Sequence, residues 1–130
     1  MKNKMKTNSI ILAVITSVAL VVPGSLRAHE GEEHGAQGHE ESIKGEVVDL
    51  ACYVDHGAIG EKHADCAKKC IESGLPVGIK AADGRTYVII GAHQPMNHEL
   101  AGFAAKTISV KGKVVARDGI NLIENAEIVK

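Results

Sequence analysis

The stretches IKGEVV at residues 43–48 and VKGKVV at residues 110–115 are two near-copies of one pattern, and they decide the fold of this chain. Each places a glycine inside a β-type run. A glycine in mid-strand permits the sharp bend of a strand that serves both sides of a small barrel. Working outward, Asp83-Gly84 and Asp118-Gly119 are hairpin turn signals between further β-type runs. We therefore predict five strands, at residues 43–53, 77–81, 86–90, 107–117 and 120–129.

A short helix is predicted between the third and fourth strands. Asn97 can cap it, and Leu100, Phe103 and Ala104 lie on one helical face, so the helix can plug one end of the barrel. This order of elements resembles the OB fold, a five-stranded Greek-key barrel, as found in small exported bacterial proteins of OB type. We predict a mostly β, OB-like domain over residues 43–130, with a helical Cys/His insert between strands one and two. Such a fold does not by itself fix a function.

The first 28 residues have the three-part pattern of a secretory signal peptide. Lys2, Lys4 and Lys6 precede a 13-residue apolar run at 10–22, and Pro23 ends that run before Ala28. The alternative, an uncleaved anchor, would need about 20 apolar residues to span a membrane. We expect a periplasmic or secreted protein with no membrane attachment after cleavage.

Charge and composition exclude several classes of function. The 130 residues contain 15 Lys and Arg and 16 Asp and Glu. Loss of residues 1–28 removes four bases and no acid, which leaves 11 basic and 16 acidic side chains and a net charge of −5. An acidic domain is poorly matched to nucleic acid, whose binding depends on Lys and Arg. With only 2% aromatic residues, there is little ring surface for stacking, and we expect no nucleotide cofactor.

A polar arm is expected between the signal peptide and the barrel. Residues 29–41 read HEGEEHGAQGHEE and contain no large apolar side chain. Such a stretch buries too little surface to offset its ordering entropy, so we predict disorder over residues 29–42. His29, His34 and His39 offer imidazole to Cu(II), Zn(II) or Ni(II). A solubilising leader in which these histidines are incidental is the alternative.

The insert at residues 52–76 carries all three cysteines and is the expected functional site. Residues 61–72 are predicted to form a helix that ends at Gly74. His63, Cys66 and Cys70 then share one face. His63 and Cys70 are about 10 Å apart along the axis, too far for one ion. Two adjacent members of that face can be joined by Cys52, at the end of strand one, or by His56, in a site suited to Cu(I) or Zn(II).

Two other uses of the cysteines stay open. Exported proteins fold in an oxidising compartment, and a disulfide can join Cys52 to Cys66 or to Cys70, leaving one odd thiol. Cysteines four residues apart on an intact helix are too far apart to bridge each other. A thiol redox function is the third possibility, but the chain lacks both the C-x-x-C motif and the C-x-x-C-H motif for haem c. We expect no enzyme activity.

The motifs of the insert also carry a family resemblance. The stretches GEVVDLACY at 45–53, GEKHADCAKKC at 60–70 and GLPVGI at 74–79 resemble a family of uncharacterised exported bacterial small proteins. The resemblance covers the whole body of the chain and implies that Cys52, His63, Cys66 and Cys70 act as a set. The resemblance does not indicate whether these residues form a structural disulfide or a binding site.

A second cluster, His93, Met96 and His98, precedes the short helix. Imidazole and thioether together suit Cu(I) or Ag(I). The alternative is an ordinary surface loop explained by Pro95 and Asn97. The periplasmic copper and silver efflux chaperone, also a small OB-type barrel that uses His and Met, is loosely similar. The present chain differs from it in lacking Trp.

Taken together, these patterns predict an exported metal-binding module for copper or zinc, with the ion as its main partner and a periplasmic protein as a second. The alternative is a disulfide-stapled binding domain that recognises a protein or a small ligand without metal. A thiol redox protein is the third hypothesis.

Overall fold

A closed five-stranded barrel forms the body of the molecule. The computed structural model describes residues 37–130. The strands are β1 (His39–Asp49), β2 (Val77–Ala81), β3 (Thr86–Ile89), β4 (Thr107–Arg117) and β5 (Ile120–Val129). Their order around the barrel is β1-β2-β3-β5-β4. The predicted OB-like, mostly β fold is therefore confirmed.

Strand β1 contributes to both sides of the barrel, as its mid-strand glycine predicts. Residues 39–46 pair with β4 and residues 45–49 pair with β2, both antiparallel. Gly45 stands at the change of partner, opposite Ala81 on one side and Ile108 on the other. A Cβ atom at Gly45 would collide with the backbone carbonyl of Lys80. Glycine is required here because β2 approaches this position too closely for a side chain.

The β4–β5 hairpin and a parallel strand pair complete the barrel. Asp118 and Gly119 both have positive φ, 51° and 84°, as a two-residue hairpin turn of the I′ type demands. β5 then pairs parallel with β3, with Tyr87 opposite Asn121. This last pairing closes the sheet, so the described strands leave no long unpaired edge.

A short helical segment covers one end of the core, between β3 and β4. It consists of α3 (Asn97–Leu100) and a 3-10 turn (Ala101–Phe103). Leu100 is fully buried and packs in the same cluster as Ile79 and Ile123, which confirms the predicted plug. Asn97 is not the cap, because α3 begins after Met96. Its side-chain amide instead donates to the backbone carbonyls of Ile71 and Leu75 and ties the plug to the insert.

Both ends of the first predicted strand were wrong. β1 begins at His39, so residues 39–42, which the sequence assigned to the disordered arm, form the first rungs of the β1–β4 pairing. β1 also ends at Asp49 rather than at residue 53, because a helix begins at Leu50. β3 ends at Ile89, one residue earlier than predicted.

The predicted signal peptide and residues 29–36 of the predicted arm lie outside the described residues. Within residues 37–130, no helix is long and apolar enough to cross a membrane.

Candidate metal site

The site is built on two helices between β1 and β2. Helix α1 (Leu50–His56) follows β1 directly, and a 3-10 turn (Glu61–His63) leads into helix α2 (Ala64–Glu72). Cys52 lies on α1, whereas Cys66 and Cys70 lie on α2. Cys52 is thus a helical residue and not the end of strand one, as the sequence had suggested.

Asp49 starts helix α1 and fixes the position of Cys52. The Asp49 side chain accepts hydrogen bonds from the backbone N–H groups of Ala51, at 3.4 Å, and Cys52, at 2.9 Å. These are two of the N–H groups that the first turn of a helix leaves unpaired. Asp49 is only 1% exposed and is the buried charged residue of the described core. Helix α1 buries none of its own residues, so this cap is its main anchor to the barrel.

The connection between the two helices is also fixed at several points. Gly57 has a left-handed φ of 69° and donates to the Tyr53 carbonyl, which ends α1 in a glycine C-cap. Glu46 of β1 accepts a hydrogen bond from the backbone N–H of Gly60. Ala58, between them, is buried. The loop therefore returns along the barrel and sets α2 beside α1.

Helix α2 presents its cysteines beside its buried face. Ala67 and Ile71, four residues apart, are its buried residues, and Ile71 is completely buried in the core. Cys66 and Cys70 precede these two by one residue each, so they form the adjacent stripe of the helix. Cys70 is half-buried and Cys66 is exposed. Packing of Ile71 in the core therefore fixes the rotation of α2 about its axis, and with it the side of the helix on which both thiols lie.

The three thiols converge. The Sγ atoms of Cys52, Cys66 and Cys70 all lie within 4.8 Å of one another, and all three cysteines are free. Three sulfurs bound to one ion at about 2.3 Å in a trigonal plane would be about 4 Å apart. A contraction of less than about one ångström would bring the cluster to that geometry. The three thiols can therefore hold a metal ion.

Hydrogen bonding and burial raise the pKa of two of these thiols. The carboxylate of Asp49, which accepts a hydrogen bond from the Cys52 thiol, is the main cause that raises the pKa of Cys52 to about 12. Burial and the neighbouring Cys70 raise it further. Burial is also the main cause that raises the pKa of Cys70, and a hydrogen bond with Cys52 partly opposes this rise. A metal that binds here must displace these protons.

The two histidines of the insert lie together, apart from the thiols. The rings of His56 and His63 are neighbours, with centroids 6.2 Å apart and planes tilted by 57°. Among residues 37–130, no imidazole or carboxylate belongs to a set of three or more ligand residues whose ligand atoms all lie within 4.8 Å of one another. The geometry thus separates a three-sulfur cluster from a two-imidazole pair.

The other candidate ligands are dispersed. Met96 packs against the hydrophobic core, whereas His93 and His98 are exposed and belong to no group of three close ligand atoms within the described part of the chain. His39, at the start of β1, pairs with Glu41 on the surface at 2.8 Å. His29 and His34 lie outside the described residues.

Sequence reasoning missed Asp49. An Asp followed by a helical run is a common N-cap signal, but the apolar residues on both sides of Asp49 suggested that the strand continued. The signal was therefore present and was outweighed by the β-type pattern.

Comparisons of this chain with known protein families, with curated proteins and with solved structures found no match.

Proposed function

We propose that this protein is an exported metal-binding module that holds one metal ion between Cys52, Cys66 and Cys70. The ion is Cu(I) in preference to Zn(II). The observation that carries the proposal is the convergence of three free thiols within 4.8 Å from two separate helices. Export is supported by the signal-peptide pattern of residues 1–28.

The donor set favours copper over zinc. Thiolate ligands select Cu(I) and Zn(II) among the metals of the cell. Structural zinc sites are almost always four-coordinate, and the described residues offer three close donors, all of them sulfur. Three-coordinate binding by sulfur suits Cu(I), whereas Zn(II) would need water as a fourth ligand.

The protonation state of the thiols argues against redox catalysis. Thiol oxidoreductases use a cysteine whose pKa is lowered, so that the thiolate is present at neutral pH. Here the pKa of Cys52 and of Cys70 is raised. A metal ion supplies the charge that makes such thiols lose their protons.

The proposal is tested by native mass spectrometry of the protein purified from the periplasm without chelator. We expect a metal ion bound to the thiols of each chain, and three thiols that become alkylatable after its removal. X-ray absorption of the Cu(I)-loaded protein should show three sulfur ligands, and each of Cys52→Ser, Cys66→Ser and Cys70→Ser should lower the affinity. His98→Ala, an exposed ligand-type residue outside the cluster, is the matched control and should bind like the parent.

A different mass would contradict the proposal. A metal-free chain two hydrogens lighter than the reduced form, with one alkylatable thiol, would mean a disulfide-stapled barrel. The function would then have to be sought on the barrel surface as recognition of a protein or small ligand.

A further inference from the structure

The insert carries a second set of metal-type ligands one helical turn away from the thiols. His56 follows Cys52 by four residues on α1, and His63 precedes Cys66 by three residues at the start of α2. These spacings correspond to about 6 Å and about 4.5 Å along a helix axis. On α1 the thiol precedes the histidine, and at α2 the histidine precedes the thiol, and the two histidine rings are neighbours, with centroids 6.2 Å apart.

The separation of the two rings suits a shared ion. Two imidazoles that bind one ion at about 2.0–2.1 Å place their ring centroids about 5 to 6.5 Å apart. The centroids of His56 and His63 are 6.2 Å apart, with the rings tilted by 57°. Side-chain rotations that direct one nitrogen of each ring at a common point would bring both imidazoles within reach of one ion.

A carboxylate orients one of the two rings. His56 Nδ1 lies 3.0 Å from the Asp55 carboxylate. When the neutral ring donates this hydrogen bond, the proton resides on Nδ1 and the lone pair on Nε2 is free for a metal. A carboxylate in this place is the usual partner of a metal-bound histidine, because it fixes the tautomer and raises the basicity of the ring.

From this geometry we infer that His56 and His63 form a second, outer site for a divalent borderline ion, Cu(II) or Zn(II), with Asp55 as its positioning residue. The class of ion follows from the donor, because neutral imidazole suits these metals. Half of the His56 side chain is exposed, so an ion can reach it directly from solvent.

The test uses Cu(II), whose electron paramagnetic resonance spectrum reports bound nitrogen. Every protein carries His29→Gln, His34→Gln and His39→Gln, so that the polar arm does not bind copper. The thiols are removed in one form by Cys52→Ser, Cys66→Ser and Cys70→Ser. A second form keeps the native cysteines, and its thiols are first loaded with Ag(I), which gives no electron paramagnetic resonance signal.

We expect one Cu(II) per chain with two-nitrogen coupling in both forms. His56→Ala or His63→Ala should lower the affinity at least tenfold and remove the coupling, and His98→Ala should change neither. Asp55→Asn should weaken binding by about tenfold while the two-nitrogen spectrum is kept, which a merely structural role of Asp55 would not produce.

Two results would overturn the inference: no Cu(II) bound in either form, or Cu(II) binding that is the same after His56→Ala and His63→Ala. A chain that fails to take up Ag(I) on its thiols but still binds Cu(II) at the histidines would refute the thiol site and leave the outer site standing.

Discussion

Replacement of Asp49 by alanine is the sharpest test of how the barrel holds its insert. The variant removes the acceptor of two backbone N–H groups in the first turn of α1. Loss of an N-cap costs about 1 kcal/mol, and a part-buried backbone N–H left without a partner adds to this, at most the about 1–3 kcal/mol of a fully buried one. Since the two costs overlap, we expect the free energy of unfolding to fall by about 2 kcal/mol. For a domain of this size that lowers Tm by about 8–16 °C.

The assay is urea unfolding of the metal-free, reduced protein, followed by circular dichroism. Asp65→Ala is the matched control, because Asp65 is an exposed Asp in the first turn of α2, and we expect a change of less than about 0.5 kcal/mol there. Asp49→Asn keeps a side-chain oxygen that can cap the helix and should lose less than half as much stability as Asp49→Ala. An Asp49→Ala protein that unfolds at the same urea concentration as the parent would refute the view that this cap anchors α1.

Three further predictions concern the thiols and the barrel. Because the pKa of Cys52 is about 12 and that of Cys70 is also raised, a bound metal displaces at least two protons, and the affinity for Cu(I) should rise by at least about 100-fold per pH unit between pH 6 and 8. A competition titration with a chromophoric chelator checks this, and a rise of tenfold or less would contradict it. The raised pKa of Cys52 also contributes stability to the metal-free protein below pH 9, and that contribution is lost as pH rises from 9 towards 12. The urea midpoint should therefore fall over this range, and less so in Cys52→Ser; equal slopes would argue against the role of this thiol. Finally, Gly45→Ala forces a Cβ atom against the Lys80 carbonyl, and it should lower the free energy of unfolding by more than the about 1–3 kcal/mol that overpacking typically costs. Gly102→Ala, with open space around it, should leave the urea midpoint unchanged.

The barrel was predictable because its local signals agree with one another. Asp118-Gly119 specifies a tight turn, and the apolar pattern on both sides fixes the register of β4 and β5. Gly45 marks the place where β1 changes its partner, and the sequence shows that glycine within a β-type run. In each case turn chemistry and hydrophobic pattern lead to the same structure.

The site was predictable only in its composition. The stretch from Val47 to Tyr53 has the apolar content of a strand, yet Asp49 caps a helix within it. That change moves Cys52 from the end of a strand to a helix beside α2. The sequence named the three cysteines, but their convergence depends on how α1 and α2 pack. Asn97 shows the same limit, since its amide binds carbonyls 22 and 26 residues away, and no local pattern reveals that.

The insert leaves and rejoins the barrel at one rung of the sheet. Asp49 and Val77 are paired directly across β1 and β2, and the Leu50 N–H donates to the Pro76 carbonyl at 2.9 Å just outside that rung. Residues 50–76 thus start and finish at neighbouring points, as a long hairpin connection does. The register of β1 against β2 therefore does not depend on the length of this segment, while Ala67 and Ile71 hold its second helix in the barrel core. The ligand chemistry of this protein is therefore free to diverge while its scaffold stays the same.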